Sequence, residues 1–378
     1  MPDDLAPGAT SGAAIAHTGT LLAPMASREP NPAPPHLTVT ADRCAVIAEV
    51  AQGHDGSLGF AHSFIDVAAE AGVDAIKFQT HIAAAESTPD EPWRIKFSYE
   101  DASRYAYWQR MEFTEAQWQG LREHCDERAI GFISSAFSVE AVELLRRVGV
   151  AAWKISSGES LSSELLRHLG QDGVPILIST GMSTYAEIGA AVEHCRAAGS
   201  EPVLLQCTSM YPTPPERLGL NVLDDLRTRY KCPVGLSDHS GTIYPGLAAV
   251  ALGAVVLEVH MTFSRRMFGP DSPVSLEPSE LRTLVEGVRF LERARGAPVN
   301  KDAVAAELTE VRNLFGKSLV SRRALAAGTV PSDDDLTAKK PGFGIPASER
   351  AIVVGRTLVV AIPSDHVLQV ADLADTPH

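Results

Sequence analysis

The chain has 378 residues, is 45% hydrophobic and 21% charged, and carries a formal net charge of -14. That length and composition suit one large buried core with room for a small second domain, and no apolar run approaches the ~20 residues of a membrane-spanning helix. The acidic balance excludes general nucleic-acid binding, and it requires any anionic substrate to be held by a local cluster of cations and N–H groups. Five cysteines (Cys44, Cys125, Cys195, Cys207 and Cys232) without a C-x-x-C spacing exclude a disulfide framework or a zinc knuckle. Cys44 and Cys207 lie in apolar strand-like runs, which predicts buried thiols. No basic segment precedes a long apolar stretch at the N-terminus, so no secretory signal is read and a cytoplasmic location is expected.

Residues 1–38 are rich in Pro, Ala, Gly, Ser and Thr without a sustained period, which predicts a disordered tail. From Cys44 onward, short apolar runs alternate with helix-period segments eight times. The strand candidates are CAVIAEVA, DAIKFQT, GFISSAF, AAWKISS, VPILISTG, PVLLQCTS, PVGLSDHS and AVVLEVHM; residues 138–148 and 184–198 are amphipathic between them. Nearly continuous apolar strands alternating with helices imply a parallel sheet covered by helices, and eight units predict a (β/α)8 TIM barrel over residues 39–296. A doubly wound sheet is the alternative, but no G-x-G-x-x-G follows the first strand. The aromatic-rich insert at 86–111 is too long for a simple βα connection and is placed to build or cover a site. Residues 297–315 read as a linker with a short helix. Short strands broken by turns then predict a small β-rich domain over 316–378.

Chemistry in such a barrel sits at the C-terminal strand ends. Here those ends carry Glu49, Lys77 with Gln79, Ser134 with Ser135, Lys154 with Ser157 and Glu159, Ser179 with Thr180, Thr208 with Ser209, Ser237 with Asp238 and His239, and Glu258 with His260. Lys77 and Lys154 are embedded in apolar strands, where an unpaired ammonium is costly. Either they form structural ion pairs, or they converge on an anion with Ser135, Ser157, Ser179, Ser209 and Ser237 as hydroxyl donors. His239 and His260 end adjacent strands, so both can bind one metal; otherwise they cap turns. Nothing else resembles a dedicated zinc site, which favours a labile divalent ion such as Mn or Mg. Glu49 is a candidate for substrate hydroxyls and Glu159 for moving a proton or orienting water, while Tyr211 and Asp271 lie on βα loops that can contact polar substrate groups.

In order, IAEVAQGHDGS, IKFQTH, FISSAFS, WKISSGE, ILISTGM, LLQCTSMYPTPPE, VGLSDHSG and LEVHMTF…GPDSPVSLEP resemble the sialic acid (N-acetylneuraminate) synthase family. AAGTVPSDDDLTAKKPGFGIP resembles its antifreeze-like (SAF) domain, so the resemblance spans about residues 43–375. The resemblance implies condensation of phosphoenolpyruvate with the open-chain aldehyde of an N-acylated hexosamine, giving a nine-carbon 2-keto acid and phosphate. It implies that Lys77, Ser135, Lys154, Ser157, Ser179, Ser209 and Ser237 bind phosphoenolpyruvate and that His239 and His260 ligate the metal. It places Glu49, Gln79, Tyr211 and Asp271 around the sugar and Glu159 near the aldehyde. It also implies a domain-swapped homodimer in which a basic residue of the small domain, Lys340 here, reaches the partner's sugar site.

Three positions depart from the family pattern: Gly53 in GHDG, Val259 in EVH, and Lys340 in KKPG, where a point cation replaces a guanidinium fork. The acceptor is therefore left open among N-acetylmannosamine, its 6-phosphate, a diacetamido sugar and another specialised sugar aldehyde. The rivals are a two-histidine metal hydrolase, which has no need of Lys77 and Lys154, and a non-catalytic sugar-binding module.

Overall fold

The computed structural model describes residues 37–375 apart from 161, 170 and 171. The predicted tail thus lies outside the described residues except at its end, and there it needs correction. Leu37 donates its backbone N–H to the Ala151 carbonyl at 2.9 Å and is buried beside Ala45, Ile47 and Ala151. An apolar side chain that can reach the barrel floor gains more from burial than from staying in water.

Eight parallel strands close into a barrel: β1 (Ala45–Ala51), β2 (Ala75–Thr80), β3 (Gly131–Ala136), β4 (Trp153–Ile155), β5 (Ile176–Ser179), β6 (Pro202–Cys207), β7 (Val234–Asp238) and β8 (Val256–His260). β1 pairs with β8, which rules out the open doubly wound sheet. Each strand falls inside one of the eight predicted runs. The amphipathic stretches form helices with the capping their sequences encode. Ser138 accepts from the Ala141 N–H ahead of Val139–Val148, and Thr184 makes a capping box with Glu187 ahead of Tyr185–Ala197. The insert contributes the helix Arg104–Met111, with irregular chain before it.

The period of two along each strand sorts the side chains into two layers. Val46, Ala48, Ile76, Phe78, Phe132 and Trp153 face outward and pack in the cluster that includes helix residues such as Phe64 and Trp118. Ala45, Ile47, Ala75, Ile133, Leu177, Val203, Leu205 and Val256 face inward and fill the lower barrel. The next inward positions toward the C-terminal ends are Glu49, Lys77, Ser135, Ser179, Ser237 and Glu258, all buried. The interior therefore changes from aliphatic to ionic within one pleat repeat. The same alternation removes three strand-end residues from the site. Ser134 bonds Thr80 at 2.8 Å, Thr180 donates to the Leu205 carbonyl, and Thr208 donates to the Arg217 carbonyl.

The chain divides into two compact units, Met1–Glu292 and Arg293–His378. In the second, the predicted single linker helix is two, Lys301–Glu307 and Thr309–Phe315, separated at Leu308. Beyond them, β9 (Ser318–Ser321) pairs antiparallel with β10 (Leu336–Lys339). Strands expected around AIVVGRTLVVAI do not form: Ala347–Ile352 is a 3-10 segment, and Leu358 and Ile362 make isolated bridges. A core of Leu319, Leu325, Leu336, Ile345, Val353, Leu358, Ile362, Leu368 and Leu373 anchors the chain at single points, too few per segment to order longer ladders.

Candidate active site

Barrel register brings together residues that are far apart in sequence. Glu49 lies opposite Lys77 on one side and His260 on the other, Gln79 opposite Ser135, Ser135 opposite Lys154, and Ser237 opposite Glu258. These side chains surround an inner chamber of about 220 Å³, which Ser157, Ser179, Ser209, Tyr211, His239 and Asp271 also line. Of the predicted residues, Glu159 lines a second chamber of about 510 Å³ built largely from the insert. Gln79, Arg94, Ser156, Gly158, Tyr211 and Asp271 border both chambers, so the two adjoin. Lys340 belongs to the second unit, where it is exposed and its ammonium lies 5.1 Å from the Phe315 ring centroid.

The lysines are ion-paired as well as gathered around the chamber. Lys77 Nζ is 2.7 Å from Glu49 Oε2, 4.0 Å from Glu258 Oε2 and 3.3 Å from Ser135 Oγ. Lys154 Nζ is 3.8 Å from Glu258 Oε1 and donates to Ser179 Oγ at 2.8 Å and to the Ile155 carbonyl at 3.0 Å. Ser237 Oγ donates to Glu258 Oε1 at 2.9 Å. Two ammonium groups and two carboxylates balance at the chamber floor, as burial demands. Burial alone would push Lys77 down, but Glu258 and Glu49 outweigh it and hold the ammonium above its ordinary range. Lys154 falls below its ordinary value because burial, reinforced by Lys77, outweighs Glu258. Glu258 is held low: Lys154 and Lys77 outweigh the upward push of burial. Glu49 goes the other way, pushed up to about 7 by burial and then by Glu258, against the pull of Lys77.

Hydroxyls form the opposite wall. The Gly181 N–H donates to Ser157 Oγ at 3.0 Å. A Cβ at Gly181 would lie 2.6 Å from Ser209 Oγ and 3.0 Å from Ser157 Oγ, so only glycine lets these hydroxyls close on the backbone.

His239 and His260 face each other with ring centroids 5.2 Å apart. His239 Nδ1 donates to the Thr208 carbonyl at 3.0 Å, which leaves Nε2 as the lone pair, and the Tyr211 hydroxyl donates to it at 3.0 Å. His260 Nδ1 is buried without a hydrogen-bond partner. Burial keeps both imidazoles neutral: His239 is lowered to about 4 with help from His260, and His260 to about 4 with help from Lys77. Neutral imidazoles with one oriented lone pair and one orphaned nitrogen fit a divalent ion. Among the described residues no group of three or more His, Cys, Asp or Glu side chains is arranged to hold a metal, so such an ion would keep positions for oxygen ligands.

Sequence reasoning placed Glu258 at a strand end without giving it a role, and it is the group that ties both lysines to Ser237. It passed over Arg94, whose guanidinium carbon lies 5.1 Å from the Tyr211 ring centroid. His81 was missed as well. It stacks between Trp108 and Phe137, with ring centroids at 4.1 and 4.6 Å. Its place directly after the polar end of β2 was the available signal. Asp238, left without a role, accepts from the backbone N–H and hydroxyl of Ser240 and caps the turn. Two of the departures from the family pattern point away from the chambers. Val259 packs in the outer hydrophobic layer, and a Cβ on Gly53 would meet the Val50 carbonyl at 3.0 Å and the Phe64 ring at 3.2 Å.

A closed parallel barrel with a charge-compensated inner chamber, a histidine pair and an adjoining larger chamber defines a (β/α)8 small-molecule site at the strand C-termini. The sequence comparisons narrow this: the NeuB family model matches residues 64–300 and the SAF domain model matches 316–374. The chain belongs to the NeuB family. It is 33% identical over 330 residues to an N,N'-diacetyllegionaminic acid synthase of Campylobacter jejuni, covering 86% of this chain and 98% of that one. It is also 33% identical over 329 residues to the N-acetylneuraminate-9-phosphate synthase of Homo sapiens, covering 85% and 90% respectively. Among solved structures, the N-acetylneuraminic acid synthetase of Leptospira borgpetersenii in complex with citrate superposes with a TM-score of 0.63 at 30% identity, over 73% of this chain and 93% of that one. No helix among the described residues is long and apolar enough to cross a membrane.

Proposed function

We propose that this chain joins phosphoenolpyruvate to the open-chain aldehyde of an N-acylated hexosamine of the mannosamine type, giving a nonulosonic acid and inorganic phosphate. The observation that carries the reading is the pair of adjoining chambers: a small one walled by lysines, the acids that balance them and serines, and a larger one walled by aromatic and polar groups. The small chamber suits a compact anion bearing a carboxylate and a phosphate, and the large one a sugar. Names of the Campylobacter and human relatives support the same reaction type.

In this mechanism Lys77 and Lys154, with Ser135, Ser157, Ser179, Ser209 and Ser237, bind the phosphate and carboxylate of phosphoenolpyruvate. Glu49, Gln79, Tyr211 and Asp271 orient the acceptor so that its C1 meets C3 of the enol. The C–C bond forms as the enol π pair attacks C1, and positive charge develops at C2. The C1–O π pair moves onto the aldehyde oxygen, which ends as a hydroxyl with the proton that water later gives up. Water adds at C2 and gives up a proton. In this reading Glu159, whose carboxyl is raised by burial and then by Glu86, takes it from the adjoining outer chamber. The C2–O bond to phosphate then breaks as the new C2 hydroxyl passes its proton to the leaving phosphate, leaving the 2-keto acid, while the lysines hold the departing charge. His239 and His260 would hold a Mn or Mg ion, which would supply Lewis acidity to polarise the aldehyde. The reading includes a homodimer in which Lys340 of one chain serves its partner's acceptor site.

The test is release of inorganic phosphate from phosphoenolpyruvate with Mn2+ and a panel of N-acyl mannosamines. Turnover that requires both substrates supports the proposal. No release with any sugar favours a binding module, and full activity in Lys77→Ala or Lys154→Ala favours the metal hydrolase.

A further inference from the structure

A hydrogen-bond tree rooted at Gln52 links the two chambers. Gln52 Nε2 donates to Gln79 Oε1 at 2.5 Å, and Gln79 Nε2 donates to Glu49 Oε1 at 2.8 Å. The second branch runs from Gln52 Nε2 to His81 Nε2 at 3.0 Å, and from His81 Nδ1 to Glu86 Oε1 at 2.7 Å. Each branch ends on a carboxylate, Glu49 in the inner chamber and Glu86 in the outer one. Because Trp108 and Phe137 clamp the His81 ring on both faces, the imidazole fixes Glu86 rather than moving with it.

Glu86 is left with one unused oxygen. Its side chain is 8% exposed, and Oε2 is buried with no hydrogen-bond partner. A buried carboxylate oxygen is an acceptor only, so leaving it unpaired is costly, and a ligand N–H or O–H that reached it would satisfy it. The surrounding charge points the same way. The outer chamber is lined by four acids (Glu86, Glu91, Glu159 and Asp271) and two arginines. Arg104 is engaged by Glu91 at 3.1 Å, and Arg94 lies over Tyr211 at the border with the inner chamber. A phosphate on the acceptor, remote from its reacting carbon, would therefore meet four carboxylates and, of this chamber's two arginines, only Arg94, which stacks on Tyr211 rather than pairing with an acid.

We propose that Glu86 is an acceptor-binding residue: its Oε2 accepts a hydrogen bond from a hydroxyl or amide N–H of the sugar, and it makes the outer chamber select an unphosphorylated acceptor. His81 is the positioning residue that holds it. This rests on the two-substrate reading above. The experiment measures steady-state phosphate release by the full chain, with Mn2+ and phosphoenolpyruvate, for N-acetylmannosamine, its 6-phosphate and the diacetamido analogue. The wild type is expected to favour the better unphosphorylated sugar by about 10-fold or more in kcat/KM. Glu86→Gln, which keeps an oxygen for His81, is expected to raise the acceptor KM about 10-fold with the phosphoenolpyruvate KM within twofold. Glu86→Lys is expected to shift the ratio toward the 6-phosphate. His81→Gln is expected to follow Glu86→Gln more weakly, and circular dichroism of each variant separates this from misfolding. A wild type that prefers the 6-phosphate, or a folded Glu86→Gln with an unchanged acceptor KM, would overturn the assignment while leaving the reaction intact. No phosphate release with any sugar would overturn the reaction and this assignment with it.

Discussion

Replacing Lys154 by Met separates the two roles open to a buried lysine. In the folded protein Lys154 lies 3.8 Å from Glu258 and 2.8 Å from Ser179. At that separation and an effective dielectric near 20, the pairwise attraction is about 4 kcal/mol. Removing one partner strands Glu258, whose remaining cation, Lys77, is 4.0 Å away. The expected destabilisation is ~3–5 kcal/mol, which for a unit of this size lowers Tm by roughly 6–15 °C. Lys154→Met with Glu258→Gln removes the charges as a pair and leaves Lys77 matched with Glu49 at 2.7 Å. Most of the lost Tm should return. Activity should not: without Lys154 the phosphate loses a charged donor, which lowers kcat/KM for phosphoenolpyruvate by about 100-fold or more. Thermal melts and phosphate-release kinetics on wild type, both single variants and the double variant form one cycle. If the stable double variant retains kcat/KM within threefold of wild type, Lys154 is a structural ion-pair member and the anion assignment fails.

The Glu49 carboxyl, pushed up to about 7, makes phosphoenolpyruvate binding pH-dependent. Below that value Glu49 is protonated and Lys77 is free for the anion; above it Glu49 ionises and neutralises Lys77, so binding weakens as pH rises through about 7. The ratio of wild-type to Glu49→Gln dissociation constants, titrated by calorimetry from pH 6 to 8, cancels the ligand's own ionisation; a flat ratio contradicts the argument. Chelation is expected to abolish phosphate release and added Mn2+ to restore it, while His239→Ala and His260→Ala should each lose the bound-manganese electron paramagnetic resonance signal; metal-independent turnover sinks their ligand role. Gly181→Ala forces a Cβ to within 2.6 Å of Ser209 Oγ, so the KM for phosphoenolpyruvate should rise about 10-fold while Tm stays within a few degrees. An unchanged KM would take Ser157 and Ser209 off the anion.

The barrel could be read from the sequence because each strand carries its own evidence locally. In β2, Ala75 and Lys77 alternate with Ile76 and Phe78, and the clusters they join are those the alternation implies. The same period of two, applied strictly at the strand ends, already separates Ser135 from Ser134 and Glu258 from Val259. The second unit lacked that help. Val359 and Val360 are β-branched and exposed, while Leu358 and Ile362 are buried singly, so a strand-like run of residues became a series of turns. Tertiary anchoring overrode propensity there.

The charge state of the site was the part that no local pattern could supply. The sequence leaves Lys77 and Lys154 open between ion pairs and an anion site because their compensating acids, Glu49 and Glu258, sit on other strands. Pairing of β1 with β2 puts Glu49 against Lys77, and closure of the barrel, with β8 beside β1, brings Glu258 within 4.0 Å of both ammonium groups. Unbalanced, such a cluster would cost several kcal/mol per ion, and the acids are what allow the lysines to be buried in the unliganded protein. Binding an anion would then shift this balance, and Glu49, whose carboxyl is pushed up to about 7, is a group through which the shift can occur. Glu49, first read as a sugar contact, and Glu258, which had no role, are therefore the counter-charges that allow the two lysines to stay buried in the inner chamber.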